Sequence, residues 1–157
     1  TSVDQRQDLA LIRPAYMREL EESSYGVTPA WSLDGRNVLA KCVKVYDGDT
    51  AHFATMMDSG IAPIRCRFAG INAAEIRSAD AAERDKAQRA RAEVVRLIEG
   101  RICILQLGEM DKYGRPLAVV WTADQLGAGF AAVTNVNEHL VACGLAMPYD
   151  GSGEKQF

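Results

Sequence analysis

Residues 38–68 read VLAKCVKVYDGDTAHFATMMDSGIAPIRCRF, and this stretch decides the fold. Val38, Ala40, Cys42 and Val45 form an apolar, β-branched run that stops at Asp47-Gly48-Asp49, and a second such run resumes from Thr50 to Met57. That is a strand, a tight turn and a strand. Asp58-Ser59-Gly60 marks a further turn, after which Ile64, Cys66 and Phe68 alternate with Arg65 and Arg67. The alternation places three apolar side chains on one face of a third strand and two guanidiniums on the other. Connections this short exclude parallel crossovers, so the strands pair as neighbours in an antiparallel sheet.

Outward from this core, Asp80 and Glu83 have the spacing of a capping box. Ala87, Ala90, Val94, Leu97 and Ile98 form one helical stripe, and Gly100 supplies a stop. Residues 102–107 and 117–121 read as strands on either side of a polar turn, and Asn135 with Glu138 caps a short helix ending near Gly144. Upstream, Leu9, Ile12, Tyr16 and Leu20 recur at helical spacing around Pro14, which breaks one helix or begins a second. Asp34-Gly35 is a hairpin signal after Trp31-Ser32-Leu33. Five short strands with interleaved helices predict an α+β domain built on a small barrel over residues 38–157, preceded by a helical extension and linker over residues 1–37.

A chain of 157 residues with 48% hydrophobic and 25% charged side chains buries a core and does not have the composition of disorder. Charged residues interrupt every apolar run well short of the ~18–20 residues a membrane helix needs, so no membrane partner is expected. The net charge of −3 excludes a polybasic coat for nucleic acid, yet residues 65–115 hold 11 basic against 8 acidic side chains. Cys42, Cys66, Cys103 and Cys143 lie far apart with no CxxC pair, which disfavours a zinc knuckle and predicts free thiols, mostly in the core. Trp31 and Trp121 read as core, and His52 and His139 as ordinary surface or half-buried imidazoles. The sequence starts at Thr1 without a basic, apolar leader, so the expected compartment is extracellular or periplasmic if a signal has been removed and cytoplasmic otherwise.

Three segments carry candidate chemistry. Asp47-Gly48-Asp49-Thr50 presents carboxylates at a turn, which suits a hard, oxygen-seeking cation but also serves as a plain connector. Arg67 leaves its strand just ahead of Asn72 and Glu75 in the following turn, an arrangement equally open to a simple surface ion pair. Asp111-Lys112-Tyr113-Gly114-Arg115 offers a point charge, a stacking ring and a planar fork of donors, the set that grips phosphate.

Taken together and in this order, the three segments, with Val136-Asn137-Glu138-His139-Leu140-Val141-Ala142-Cys143-Gly144, resemble the staphylococcal nuclease (thermonuclease) family over residues 38–149. The resemblance implies a five-stranded OB-fold barrel with two or three packed helices, and Ca²⁺-dependent hydrolysis of DNA and RNA leaving 3′-phosphates. It implies that Asp49, Asn72 and the Ala73 carbonyl bind Ca²⁺, that Arg67 and Arg115 grip phosphate, and that Glu75 activates water. Lys112 and Tyr113 would contact the nucleotide, and Tyr149 falls where the family places a stacking ring. The chain departs from the family pattern at Asn72, where a second metal-binding Asp is usual, and at Ala73 and Ala74, which replace Thr and Pro. One fewer negative ligand implies Ca²⁺ affinity at the weak end, roughly 10⁻⁴ to 10⁻³ M. The competing reading is a catalytically weak or inactive module of the same fold that holds nucleic acid or protein; retention of Asp49, Arg67, Glu75 and Arg115 favours the enzyme.

Overall fold

The Asp47-Gly48-Asp49-Thr50 segment joins β1 (Asn37–Asp47) to β2 (Thr50–Met57) as an antiparallel hairpin, and β2 pairs in turn with β3 (Gly60–Phe68). The computed structural model describes residues 17–28 and 31–152. After β3 come a two-residue strand β4 (Ile71–Asn72), a helix α2 (Ala81–Ile98), β5 (Ile102–Met110), β6 (Pro116–Leu126), β7 (Gly129–Asn135), a helix α3 (Val136–Ala142) and β8 (Met147–Pro148). A six-residue helix α1 (Met17–Glu22) precedes them all. The chain divides into two compact units, Thr1–Trp31 and Ser32–Phe157.

The main sheet runs β3-β2-β1-β5-β6-β7, and a parallel pairing of β3 with β6 closes β1, β2, β3, β5 and β6 into a barrel. This is the small α+β barrel that the count of strands and helices predicts, and the OB-fold that the resemblance implies, with three helices among the described residues. The alternating side chains of these strands meet inside: Val45, Phe53, Cys66, Phe68, Leu105 and Val120 are fully buried, at about 1.5–3 kcal/mol of transfer free energy for each large apolar side chain. Helix α2 lays Ala87, Ala90, Val94 and Ile98 on the barrel beside β1. Where β1 bulges between Val45 and Asp47, the Val45 N–H turns out of the ladder and donates to Glu99 Oε2 at 3.1 Å.

Asn137 of α3 locks the seam that closes the barrel. Its Oδ1 accepts from the Val120 N–H at 3.0 Å, while Nδ2 donates to the Ala69 and Ala118 carbonyls at 2.9 and 3.0 Å. The cap of α3 is as the sequence predicts, the Glu138 N–H donating to Asn135 Oδ1 at 3.0 Å.

Several expectations need correction. Asp80 caps α2 by accepting from the Ala82 N–H at 2.9 Å, but Glu83 does not close a capping box. Its carboxylate instead accepts from the Glu75 N–H at 3.2 Å and from the Ser78 hydroxyl, because the turn before the helix folds back over its first residues. Asp34-Gly35 is a turn without a preceding strand, held by the Gly35 N–H donating to the Leu107 carbonyl at 2.9 Å, and Leu33 beside it joins the core. Trp31 is 74% exposed rather than core, and Leu20 is likewise exposed on α1, which buries none of its residues. Leu9, Ile12 and Tyr16 lie outside the described residues. Strand β7 had no forecast: Phe130-Ala131-Ala132-Val133 between glycines and Thr-Asn is too short and too Ala-rich for periodicity to distinguish. Trp121 is half-buried, its Nε1 donating to Gln106 Oε1 at 2.8 Å. Among the described residues no helix is long and apolar enough to cross a membrane.

Candidate functional site

Register brings the first elements of the site together. Asp47 pairs with Thr50 across the β1–β2 hairpin and Thr50 with Arg67 across β2–β3, so the acidic turn and the guanidinium stand at the same end of the barrel. Gly48 permits the close approach of that turn to α2: a Cβ there would stand 2.7 Å from Ala90 Cβ and 2.8 Å from Ala73 Cβ. Its φ lies outside the left-handed region, so the glycine is required by packing, not by turn geometry.

Arg67, 9% exposed, is the hub. Its Nη1 lies 2.5 Å from Asp49 Oδ2 in an ion pair, and Nη2 donates to Asn72 Oδ1 at 3.1 Å and to the Ile71 carbonyl at 3.2 Å. Asp49 Oδ2 also accepts from the Ala73 N–H at 2.8 Å, and Oδ1 from the Thr50 hydroxyl at 3.1 Å. The Asn72 Nδ2, in a side chain only 1% exposed, has no hydrogen-bond partner. Asp47 is buried next to Asp49, whose N–H donates to Asp47 Oδ1 at 3.0 Å. Burial first, then the Asp49 carboxylate, pushes the Asp47 carboxyl well above the usual carboxylate range.

The second arginine arrives from β6. Because β3 and β6 run parallel with Arg67 beside Leu117, Arg115 lies just before the strand that flanks Arg67. Asp111 fixes it: Oδ2 accepts from Arg115 Nε at 2.7 Å and Oδ1 from the Arg115 and Tyr113 N–H groups at 2.9 Å each. Burial raises the Asp111 carboxyl, but these hydrogen bonds outweigh it and hold the group below its ordinary range. Tyr113, 72% exposed, lies 5.4 Å from the Arg115 guanidinium carbon and 5.2 Å from Lys112 Nζ.

A cleft of about 460 Å³ is lined by Arg67, Lys112, Tyr113, Arg115 and Tyr149. Tyr149 reaches it because its N–H donates to the Gly70 carbonyl at 2.9 Å, next to the β4–β8 pairing. Asp49, Asn72 and Ala73 lie behind this cleft on the other side of Arg67, and Glu75 follows in an exposed turn held by Glu83. The Glu75 charge also reaches Asp47. Of the residues singled out from sequence, five therefore share the cleft, Asp49 and Asn72 contact the guanidinium that borders it, Ala73 joins them through Asp49, and Glu75 is not among the residues that line the cleft. Asp111 and Glu83, the supports of Arg115 and of the Glu75 turn, drew no such role from sequence; an Asp four residues before an Arg in a turn is the one available signal.

The fit to Ca²⁺ rests on the donor set. The side-chain oxygens of Asp49 and Asn72 converge on Arg67, and the Asp47 carboxyl accepts from the Asp49 N–H behind them. Hard oxygen donors suit Ca²⁺, and Asp47 and Asp49 are buried side by side. The set is charge-poor, since Asn72 is neutral and, among the described residues, no three His, Cys, Asp or Glu side chains are grouped to hold a metal ion.

Residues 65–156 match the family model described as "Staphylococcal nuclease homologue". The chain is also 30% identical over 122 residues to Protein ParB of Escherichia coli, an alignment that covers 78% of this chain and 61% of that protein. The chain thus spans about three fifths of the length of the curated relative it matches.

Proposed function

Because the chain belongs to the family of staphylococcal nuclease homologues, a nuclease-like, nucleic-acid-binding domain, we propose that it is a Ca²⁺-dependent phosphodiesterase that cuts DNA and RNA and leaves 3′-phosphates. The observation that carries this reading is the convergence of Arg67 and Arg115 on one cleft, with Asp49 and Asn72 against the first guanidinium.

Arg67 and Arg115 bind the phosphoryl oxygens and stabilise the negative charge that grows on them in the transition state. Each guanidinium is pre-set by a carboxylate, Asp49 for Arg67 and Asp111 for Arg115, so little reorganisation is needed. Asp49, the Asn72 amide oxygen and the Ala73 carbonyl would hold Ca²⁺, with Asp47 behind them. When bound, the cation supplies positive charge that neutralises the phosphodiester. Glu75, on an exposed turn anchored through its main chain to Glu83, orients the attacking water and accepts its proton. Lys112 attracts the strand electrostatically, and Tyr113 and Tyr149 offer faces for a base. In this reading residues 38–157 form the catalytic domain and residues 1–37 an extension.

The second reading is a module that binds nucleic acid without cutting it, favoured by the neutral Asn72 in an acidic position. Digestion of single-stranded and plasmid DNA with Ca²⁺ or with EDTA, by wild type and by Glu75→Gln, separates the two. The enzyme reading expects cutting that needs Ca²⁺ and falls at least about 10²-fold in the variant, the usual scale of a lost general base. A protein that shifts DNA in a gel regardless of Ca²⁺ and cuts none of it is the module.

A further inference from the structure

A row of basic side chains crosses the outer side of the same three strands. Lys44 of β1 pairs with His52 of β2, and His52 with Arg65 of β3, so three basic side chains stand abreast. Lys44 and Arg65 are exposed and His52 is half-buried. Lys44 and Arg65 are like charges on the two strands that flank β2, with the imidazole between them. Among the described residues neither Lys44 nor Arg65 has a carboxylate within ion-pair distance. Arg65 lies instead over the Tyr46 ring, 5.6 Å from its centroid, which limits where the guanidinium can point. Burial, then the charges of Arg65 and Lys44, hold the His52 imidazole below its ordinary range, a sign that their positive potentials add. Fold stability gives no reason for such a row, whereas an anion does.

Its position indicates which anion. The adjoining row on the same strands is Asp47, Thr50 and Arg67, the edge of the candidate catalytic cleft. Thr50 and His52 are two residues apart on β2, as are Arg65 and Arg67 on β3, so each pair faces the same side about 7 Å apart at the ordinary rise of a strand. The bulge between Val45 and Asp47 brings β1 into the same pattern. That interval is comparable with the distance between successive phosphates of an extended single strand.

We propose that Lys44, His52 and Arg65 bind the backbone phosphate next to the one held by Arg67 and Arg115, so that a single strand of DNA or RNA runs across the outer face of β1, β2 and β3. The inference rests on the phosphodiesterase reading of the cleft and deepens it: the substrate is a single strand engaged through at least two consecutive phosphates.

Fluorescence anisotropy in Ca²⁺ buffer tests it, with Glu75→Gln protein to prevent cutting and two probes, a short oligothymidylate and a dinucleotide with one phosphodiester. The reference protein should favour the oligomer. Adding Lys44→Ala and Arg65→Ala should lower the ratio of oligomer to dinucleotide affinity at least about fivefold and flatten the salt dependence of oligomer binding by about 0.7 in log–log slope for each phosphate no longer neutralised. The charge-conserving pair Lys44→Arg and Arg65→Lys should retain the ratio. An unchanged ratio and slope, or equal weakening for both probes, overturns the row and leaves the cleft reading standing. A wild-type protein that neither binds nor cuts either probe overturns both.

Discussion

Gly48 has an apparent reason and an actual one. An Asp-Gly turn suggests a glycine needed for backbone freedom, yet its hydrogen is what lets the acidic turn touch Ala90 and Ala73. Gly48→Ala forces those contacts apart, so the expected loss is about 1–3 kcal/mol, the usual scale of overpacking, with weaker Ca²⁺ binding because Asp49 and Ala73 flank the displaced point. Chemical denaturation and Ca²⁺ titration measure both. At Asn72 the predicted outcome has the opposite sign. Its oxygen faces Arg67 and its Nδ2 is orphaned, so Asn72→Asp removes an unsatisfied donor and adds a charged ligand. Ca²⁺ affinity by calorimetry should rise roughly tenfold, in line with the dependence of such sites on ligand charge. Unaltered affinity would mean that this side chain does not reach the cation.

The strands of residues 38–68 were legible because alternation with a period of two has one reading when one face is buried, and Arg67 then falls on the face that carries the site. The helix α2 was legible from its alanine stripe, but the partners of Glu83 were not, since a local spacing cannot say which way a carboxylate turns when the preceding loop folds over it. Nor could sequence reveal that Asn137 ties α3 to the β3–β6 seam, an attachment set by parallel pairing of strands far apart in the chain. Asn137→Ala takes their partner from the Val120 N–H and the Ala69 carbonyl, while the Ala118 carbonyl keeps the Ala69 N–H, and should reduce stability by about 2–4 kcal/mol by the cost of such losses, read as a lower denaturation midpoint. Helices α2 and α3 meet at Glu93, which pairs with Arg96 and accepts from His139 Nε2 at 2.9 Å. The hydrogen bond from Arg96, then that from His139, pulls the Glu93 carboxyl down to about 2. A carboxylate lowered in the folded state stabilises above its unfolded pKa of about 4.3, and that contribution disappears as pH falls toward the folded value. Glu93→Gln should therefore lower the melting temperature at neutral pH and flatten its decline between about pH 4.3 and 2, where wild type loses the contribution.

Burial also predicts the reactivity of the barrel as a whole. Cys42, Cys66 and Cys103 are buried, and desolvation pushes their thiols up to about 11, 12 and 12, whereas Cys143 is exposed. Native protein should react with a thiol reagent at Cys143 alone and at all four cysteines once unfolded; reaction at the other three in native buffer would mean that the barrel opens. A closed, rigid barrel is also what holds Arg67 and Arg115, from strands joined only by parallel pairing, at one cleft. The proposed hydrolysis depends on that convergence. The most direct test is the single-turnover rate of cutting a labelled single-stranded oligonucleotide at saturating Ca²⁺, wild type against Arg115→Lys. The rate should fall by about 10²–10³, as when one transition-state donor is removed; a variant that cuts as fast as wild type would contradict the assignment of the cleft.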